Sequence, residues 1–113
     1  MNRQNTYDAF FSFDWGVAPH YQTLSRVREI AAMLGEQGLN ICVDPDRVDK
    51  DCKRVEESID SSAVVVIFVT KKYMLEIFSN NSERNCGSEF CYALRRKKLD
   101  SLITVGKYVK YRF

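Results

Sequence analysis

The sequence predicts an α/β fold, a parallel sheet with helices packed on both faces. Three observations carry that expectation. Ala63–Val69 reads Ala-Val-Val-Val-Ile-Phe-Val, apolar without alternation and rich in β-branched residues, as a strand buried on both faces requires. The segments around it repeat their apolar residues at three- and four-residue spacing, the signature of amphipathic helices. Strand-like and helix-like stretches then alternate as βαβαβαβ, which implies right-handed crossovers between parallel strands. At 113 residues the chain fits one domain, 1–113, with no repeat and no linker.

The elements follow in order. Tyr7–Phe13 is an aromatic-rich run that reads as a largely buried strand, followed by a polar loop, Asp14–Gln22, with Trp15-Gly16 in it. Leu24, Val27, Ile30, Ala31 and Leu34 share one helical face, and Gly35 and Gly38 supply the stop. Leu39–Val43 is a second short strand, ended by Asp44-Pro45-Asp46. Cys52, Val55 and Ile59 mark a short helix ahead of the central strand. After Val69, the residues Cys86, Phe90, Ala93 and Leu94 form a third helical face running into Arg95–Lys98, and Leu102–Val105 reads as the fourth strand. In a doubly wound sheet ligands bind beyond the carboxyl ends of the strands, so the loops after Phe13, Val43 and Val69 are the places to look.

Composition excludes several classes. With 45% hydrophobic and 28% charged residues, five Gly and two Pro, disorder, collagen and low complexity do not fit. The longest apolar run is far short of the ~20 residues of a spanning helix, so no membrane segment is expected. The N-terminus shows no secretory pattern, and a cytoplasmic location is the expectation. Cys42, Cys52, Cys86 and Cys91 form no C-x-x-C pair and His20 is the single histidine, so no metal site is expected and free thiols are. The net charge of +2 is uneven: 1–94 holds ten basic and fourteen acidic residues, a balance of −4, and 95–113 holds seven basic residues and one acid, a balance of +6. A basic tail can meet nucleic acid or anionic lipid. It can equally be a solvated helix end with Arg95–Lys98 complementing the dipole. Nothing in it matches a nucleic-acid motif, and no nucleic-acid partner is expected. No G-x-G-x-x-G or P-loop is present.

Tyr7–Phe13 (YDAFFSF), the amphipathic helix ending in Gly38, the buried strand AVVVIFV after Ile59-Asp60-Ser61-Ser62, and Asn85–Leu94 (NCGSEFCYAL) together resemble a TIR (Toll/interleukin-1 receptor) domain of the protist and algal kind. The resemblance covers about residues 7–105. It implies a flavodoxin-like fold and a cytoplasmic signalling module, of the kind used in innate immunity, that pairs with other TIR domains or with itself. Many members also cleave NAD+ at the nicotinamide–ribose bond, so the resemblance implies NAD+ as a substrate, no bound cofactor, and NAD+ nucleosidase activity. The family's essential glutamate lies three positions beyond a cysteine near the start of the helix after the third strand. Cys86 and Glu89 meet that spacing, and Glu89 takes the catalytic role by position.

Glu89 stands at i+3 from Cys86 and i−4 from Ala93, on the flank of the apolar face, where it is expected at a cleft edge and partly shielded. An acid in a first helical turn also suits the dipole without any catalytic role, and both readings stand. Ser12, Asp14, Trp15, Gly16 and Cys86 are the substrate-contact candidates; Trp15 either stacks on a base or packs over the sheet end, and Cys86 either contacts substrate or packs. The acid-rich loop Asp44–Asp51, with Asp44, Asp46, Arg47 and Asp49, reads as an electrostatic interaction surface or as a solvated turn. It lacks the glycine that TIR domains usually carry there. A further departure is the end of the chain, where the fifth strand and last helix of the family fold have no counterpart; the fourth strand is then expected at an open edge.

Overall fold

The computed structural model describes residues 6–14, 22–43, 52–78 and 86–106, with the backbone alone at 52–54, 86 and 87. Four strands, β1 (Tyr7–Ser12), β2 (Ile41–Val43), β3 (Ser62–Phe68) and β4 (Leu102–Val105), form one sheet in the order β2-β1-β3-β4. Every pairing is parallel, with Phe10 opposite Cys42 and Val65, and Val65 opposite Leu102. The helices are α1 (Gln22–Glu36), α2 (Cys52–Asp60), α3 (Lys71–Ile77) and α4 (Cys86–Arg96), and a 3-10 turn at Leu99–Ser101 leads into β4. This is the α/β, flavodoxin-like arrangement that the sequence predicts.

Strand alternation divides the interior into two cores. Phe10, Cys42, Val65 and Ile67 meet Val55 and Ile59 of α2, Tyr73 of α3, and Phe90 and Ala93 of α4. Burying each of the larger aliphatic and aromatic side chains contributes about 1.5–3 kcal/mol. On the other face, among the described residues, Ala9, Phe11, Phe13 and Phe68 meet Leu24 and Val27 of α1, with Ala31 and Leu34 packed beside them. Phe11 and Phe68 touch edge to face, ring centroids 4.9 Å apart.

That three-against-one distribution corrects the expectation for the central strand. Ala63, which shares the opposite face with Val65, is exposed at the start of the strand, and on the α1 side Phe68 is buried but Val64 and Val66 are half-buried. Ile103 and Val105 of β4 lie on the same side, 45% and 44% exposed. Among the described residues α1 is the one helix packed on this face, and a groove of about 400 Å3 floored by Val64, Val66 and Ile103 runs beside it. Ile30 and Leu94, expected on buried helical faces, are at the rim of cover and stay largely exposed. Among the described residues β4 pairs with β3 alone, leaving its outer edge open.

Helix ends account for the local turns. Gly38 takes φ 92°, with its N–H on the Gly35 carbonyl and the Leu39 N–H on the Leu34 carbonyl, so α1 closes in a Schellman motif. Helix α3 was not expected from the sequence; Thr70 starts it by accepting the Tyr73 N–H on its hydroxyl at 3.1 Å.

At the N-terminal end of the sheet, α2 and α4 are tied together. Tyr92 O–H donates to Asp60 Oδ2 at 2.7 Å, and Arg96 Nε donates to Asp60 Oδ1 at 3.1 Å. Lys97 Nζ donates to the carbonyl of Asp60, which the end of α2 leaves open, and to that of Ser62 at the start of β3. Burial pushes the Asp60 carboxyl up, but the Tyr92 and Arg96 hydrogen bonds, with the charges of Arg96 and Lys97, outweigh it and hold the carboxyl below its ordinary value. Burial and the Asp60 carboxylate push the Tyr92 phenol up.

Candidate functional site

Strand order reverses between β1 and β3: the chain steps outward from β1 to β2, then returns to place β3 on the other side of β1. A crevice forms where the connections leave in opposite directions, beyond the carboxyl ends of those two strands. The loop after Val43 belongs to the outer strand β2, so the reversal narrows three expected loops to two.

Ser12 ends β1 on the face toward α3 and α4, opposite Ile67 of β3. Its hydroxyl donates to Glu89 Oε1 at 2.9 Å and lies 2.8 Å from the Tyr73 hydroxyl. A serine carries one hydroxyl proton, and with it on Glu89 the shared contact with Tyr73 has Tyr73 as donor. The direction is therefore Tyr73 O–H to Ser12 Oγ, then Ser12 O–H to Glu89. All three side chains are buried, with Tyr73 at 0% and Glu89 at 3% exposure. Burial without partners would cost such groups several kcal/mol, roughly 2–7 for a hydroxyl or amide, which is why they are found together.

Each member arrives for a local reason. Ser12 follows the alternation that points Phe10 into the same core. Tyr73 stands in the first turn of α3, set by the Thr70 cap, and its ring meets Phe90 edge to face with centroids 6.4 Å apart. Glu89 stands in the first turn of α4, where the helix dipole favours negative charge. Asp14, two residues beyond Ser12, is 4% exposed, with Lys72 Nζ 3.8 Å from its Oδ2. The Lys72 side chain is half exposed, whereas that of Asp14 is buried.

The expected site residues divide accordingly. Ser12 and Glu89 are brought into contact, and Asp14 lies just beyond Ser12 on the same strand end. Glu89 is sealed more completely than the partial shielding expected at a cleft edge, because Phe90, Ala93 and the Tyr73 ring close the α3–α4 side of the sheet. Cys86 opens α4 one turn before Glu89, its side chain outside the described residues. Trp15 and Gly16 lie outside the described residues, as do Asp44, Asp46, Arg47 and Asp49. Tyr73 was missed; the Thr70-x-x-Tyr73 pattern after the central strand is the signal that would have found it. Cys42 is a free thiol buried in the core, and Cys91 is a free thiol at the surface.

A cavity of about 870 Å3 opens elsewhere, between the start of α1 and the ends of β3 and β4, with Val27, Phe68, Met74 and Gly106 among its lining. Ser12, Asp14, Tyr73 and Glu89 do not line it. No helix among the described residues is long and apolar enough to cross a membrane, and no described group of three His, Cys, Asp or Glu side chains gathers as a metal site. Searched against known proteins, the chain matches no family model and no curated protein.

Proposed function

We propose that this chain is a TIR-like signalling module that cleaves NAD+ at the nicotinamide–ribose bond, with Glu89 as its catalytic carboxylate. The observation that carries the reading is Glu89 itself: a buried carboxylate, oriented by Ser12, at the reversal point of a parallel sheet. The resemblance of Tyr7–Phe13, Ala63–Val69 and Asn85–Leu94 to TIR domains supports the choice of substrate.

The chemistry suits one carboxylate. The ring of NAD+ is a pyridinium, so when the C–N bond breaks its electron pair neutralises the leaving nicotinamide and no acid is needed. Positive charge develops on the ribose as an oxocarbenium-like centre, of the kind met in glycoside hydrolysis. A fixed carboxylate facing that centre stabilises it and holds the ribose in place. Water then forms the new C–O bond, and Glu89 is the acceptor for the proton it loses. At 3% exposure Glu89 meets a ribose only when the crevice opens, and association between copies supplies the occasion. The expected result is nicotinamide release that rises with protein concentration and is lost in Glu89→Gln. Equal inertness of both proteins under assembly conditions would falsify the enzymatic reading.

A second reading, assembly without catalysis, is favoured by the outer edge of β4, unpaired among the described residues, and by the exposure of Ile103 and Val105 on the α1 face. It predicts concentration-dependent association that charge reversal at Asp46, Arg47 or Asp49 weakens, with no nicotinamide formed. A monomer at high concentration counts against it.

A further inference from the structure

We infer that Tyr73 is a positioning residue of this site, acting on Glu89 through Ser12. The inference rests on the reading of Glu89 as the reacting carboxylate. A core tyrosine needs a partner for its hydroxyl, and most find a backbone carbonyl or water. Tyr73, fully buried, has its hydroxyl 2.8 Å from Ser12 Oγ, whose own proton is on Glu89 Oε1 at 2.9 Å. A serine hydroxyl rotates freely about its Cβ–Oγ bond, and a single acceptor leaves its direction loosely set. A donor arriving from Tyr73 occupies a lone pair on Oγ and fixes where the remaining proton points. Donor chains of this kind also polarise one another, strengthening the last bond onto the carboxylate.

The supports of Tyr73 fit that role. Its backbone N–H is pinned by the Thr70 cap, and its ring is held by Phe90, the residue next to Glu89 on α4. One of the contacts between α3 and α4 is therefore a ring whose hydroxyl ends at β1. Three elements fix one carboxylate oxygen, and a shift of α3 is transmitted to Glu89 by way of Ser12. Such supporting contacts separate a site held in reacting geometry from one merely assembled.

The test uses the full chain and the variants Tyr73→Phe, Ser12→Ala and the two combined. Tyr73→Phe keeps the ring and the core volume and removes the hydroxyl alone. The expected result is a kcat lowered about three- to tenfold, the worth of one hydrogen bond, with KM kept within about twofold. The double variant is expected to match Ser12→Ala, since both changes cut one chain. An unchanged kcat in Tyr73→Phe, or losses that multiply in the double variant, would overturn the inference. If the wild type forms no nicotinamide, the NAD+ reading fails by itself and the hydroxyl chain is read from thermal melts of the same four proteins. There, destabilisations that fall short of additivity support the chain, and additive ones overturn it.

Discussion

Each end of the sheet holds a carboxylate with a hydroxyl donating to it, and the two are built to opposite plans. At the N-terminal end, Asp60 keeps 29% of its side chain exposed, accepts from Tyr92, and has Arg96 and Lys97 beside it. At the C-terminal end, Glu89 is 3% exposed and accepts from a serine whose other contact is a buried tyrosine. The first arrangement shares its charge with cations and water, ties α2 to α4 and asks nothing further. The second takes a carboxylate out of water at the one place where the sheet topology makes a crevice. Burial of a charge is costly wherever it occurs, and a carboxylate buried at the reversal point is what the catalytic role proposed for Glu89 calls for. Under the proposed function, the contrast is between a fastening and a working group although the residue types are alike.

The largest expected effect that tests this contrast is on activity. Glu89→Gln keeps an acceptor for Ser12 and is expected to lower nicotinamide release by about a hundredfold or more while leaving the melting temperature close to that of the wild type. A fall in melting temperature with specific activity retained would erase the distinction between the two ends. Asp60→Ala is the reciprocal change. It removes the acceptor of Tyr92 and is expected to cost about 1 kcal/mol, with the melting temperature down by about 4 °C and activity per folded molecule unchanged.

Acidity gives a smaller, graded effect. Asp60 titrates below its ordinary value in the folded chain, so the unfolded chain takes up its proton first as pH falls. Its contribution is complete above the unfolded value of ~3.9 and is lost as pH drops through the folded value. The gap in melting temperature between wild type and Asp60→Asn is therefore expected to be constant above about pH 5 and to close below about pH 4. A gap that widens on acidification would reverse the assigned sign. Arg96→Gln should have the smallest effect, since its side chain is 57% exposed, and high salt should diminish it further.

The sequence made the two long elements easy to read and the short ones hard. The run Ala63–Val69 identified β3, and the spacing from Leu24 to Leu34 with Gly38 at its end identified α1, because both patterns repeat over enough residues to stand out. Helix α3 carries only seven residues, Lys71–Ile77, too few for a period to declare itself, and its real marker is a single capping threonine. The same run of β3 misled about burial. Continuous apolarity says that both faces can be buried, whereas cover depends on how many helices reach each face, and Val64 and Val66 have one helix to share. Ser12 and Glu89 were legible singly, from position on a strand end and on a helix start. Their contact was not, because nothing in the spacing of residues far apart along the chain fixes which rotamers will meet. Tyr73 was hidden with the helix that carries it.

The span of the Ser12–Glu89 bond has a consequence for how the protein comes into being. Its two partners are 77 residues apart, and the Tyr73–Ser12 contact joins residues 61 apart. A chain emerging from the ribosome exposes Ser12 early and must wait for α4 before the carboxylate exists to receive its proton. Contacts of such long range are slow to close, and closing them draws together the first strand and the last described helix. No fragment that ends before α4 holds the carboxylate. Recovery of the site during refolding therefore reports that β1 has met α4, a clock for that long-range step of folding set inside the site itself.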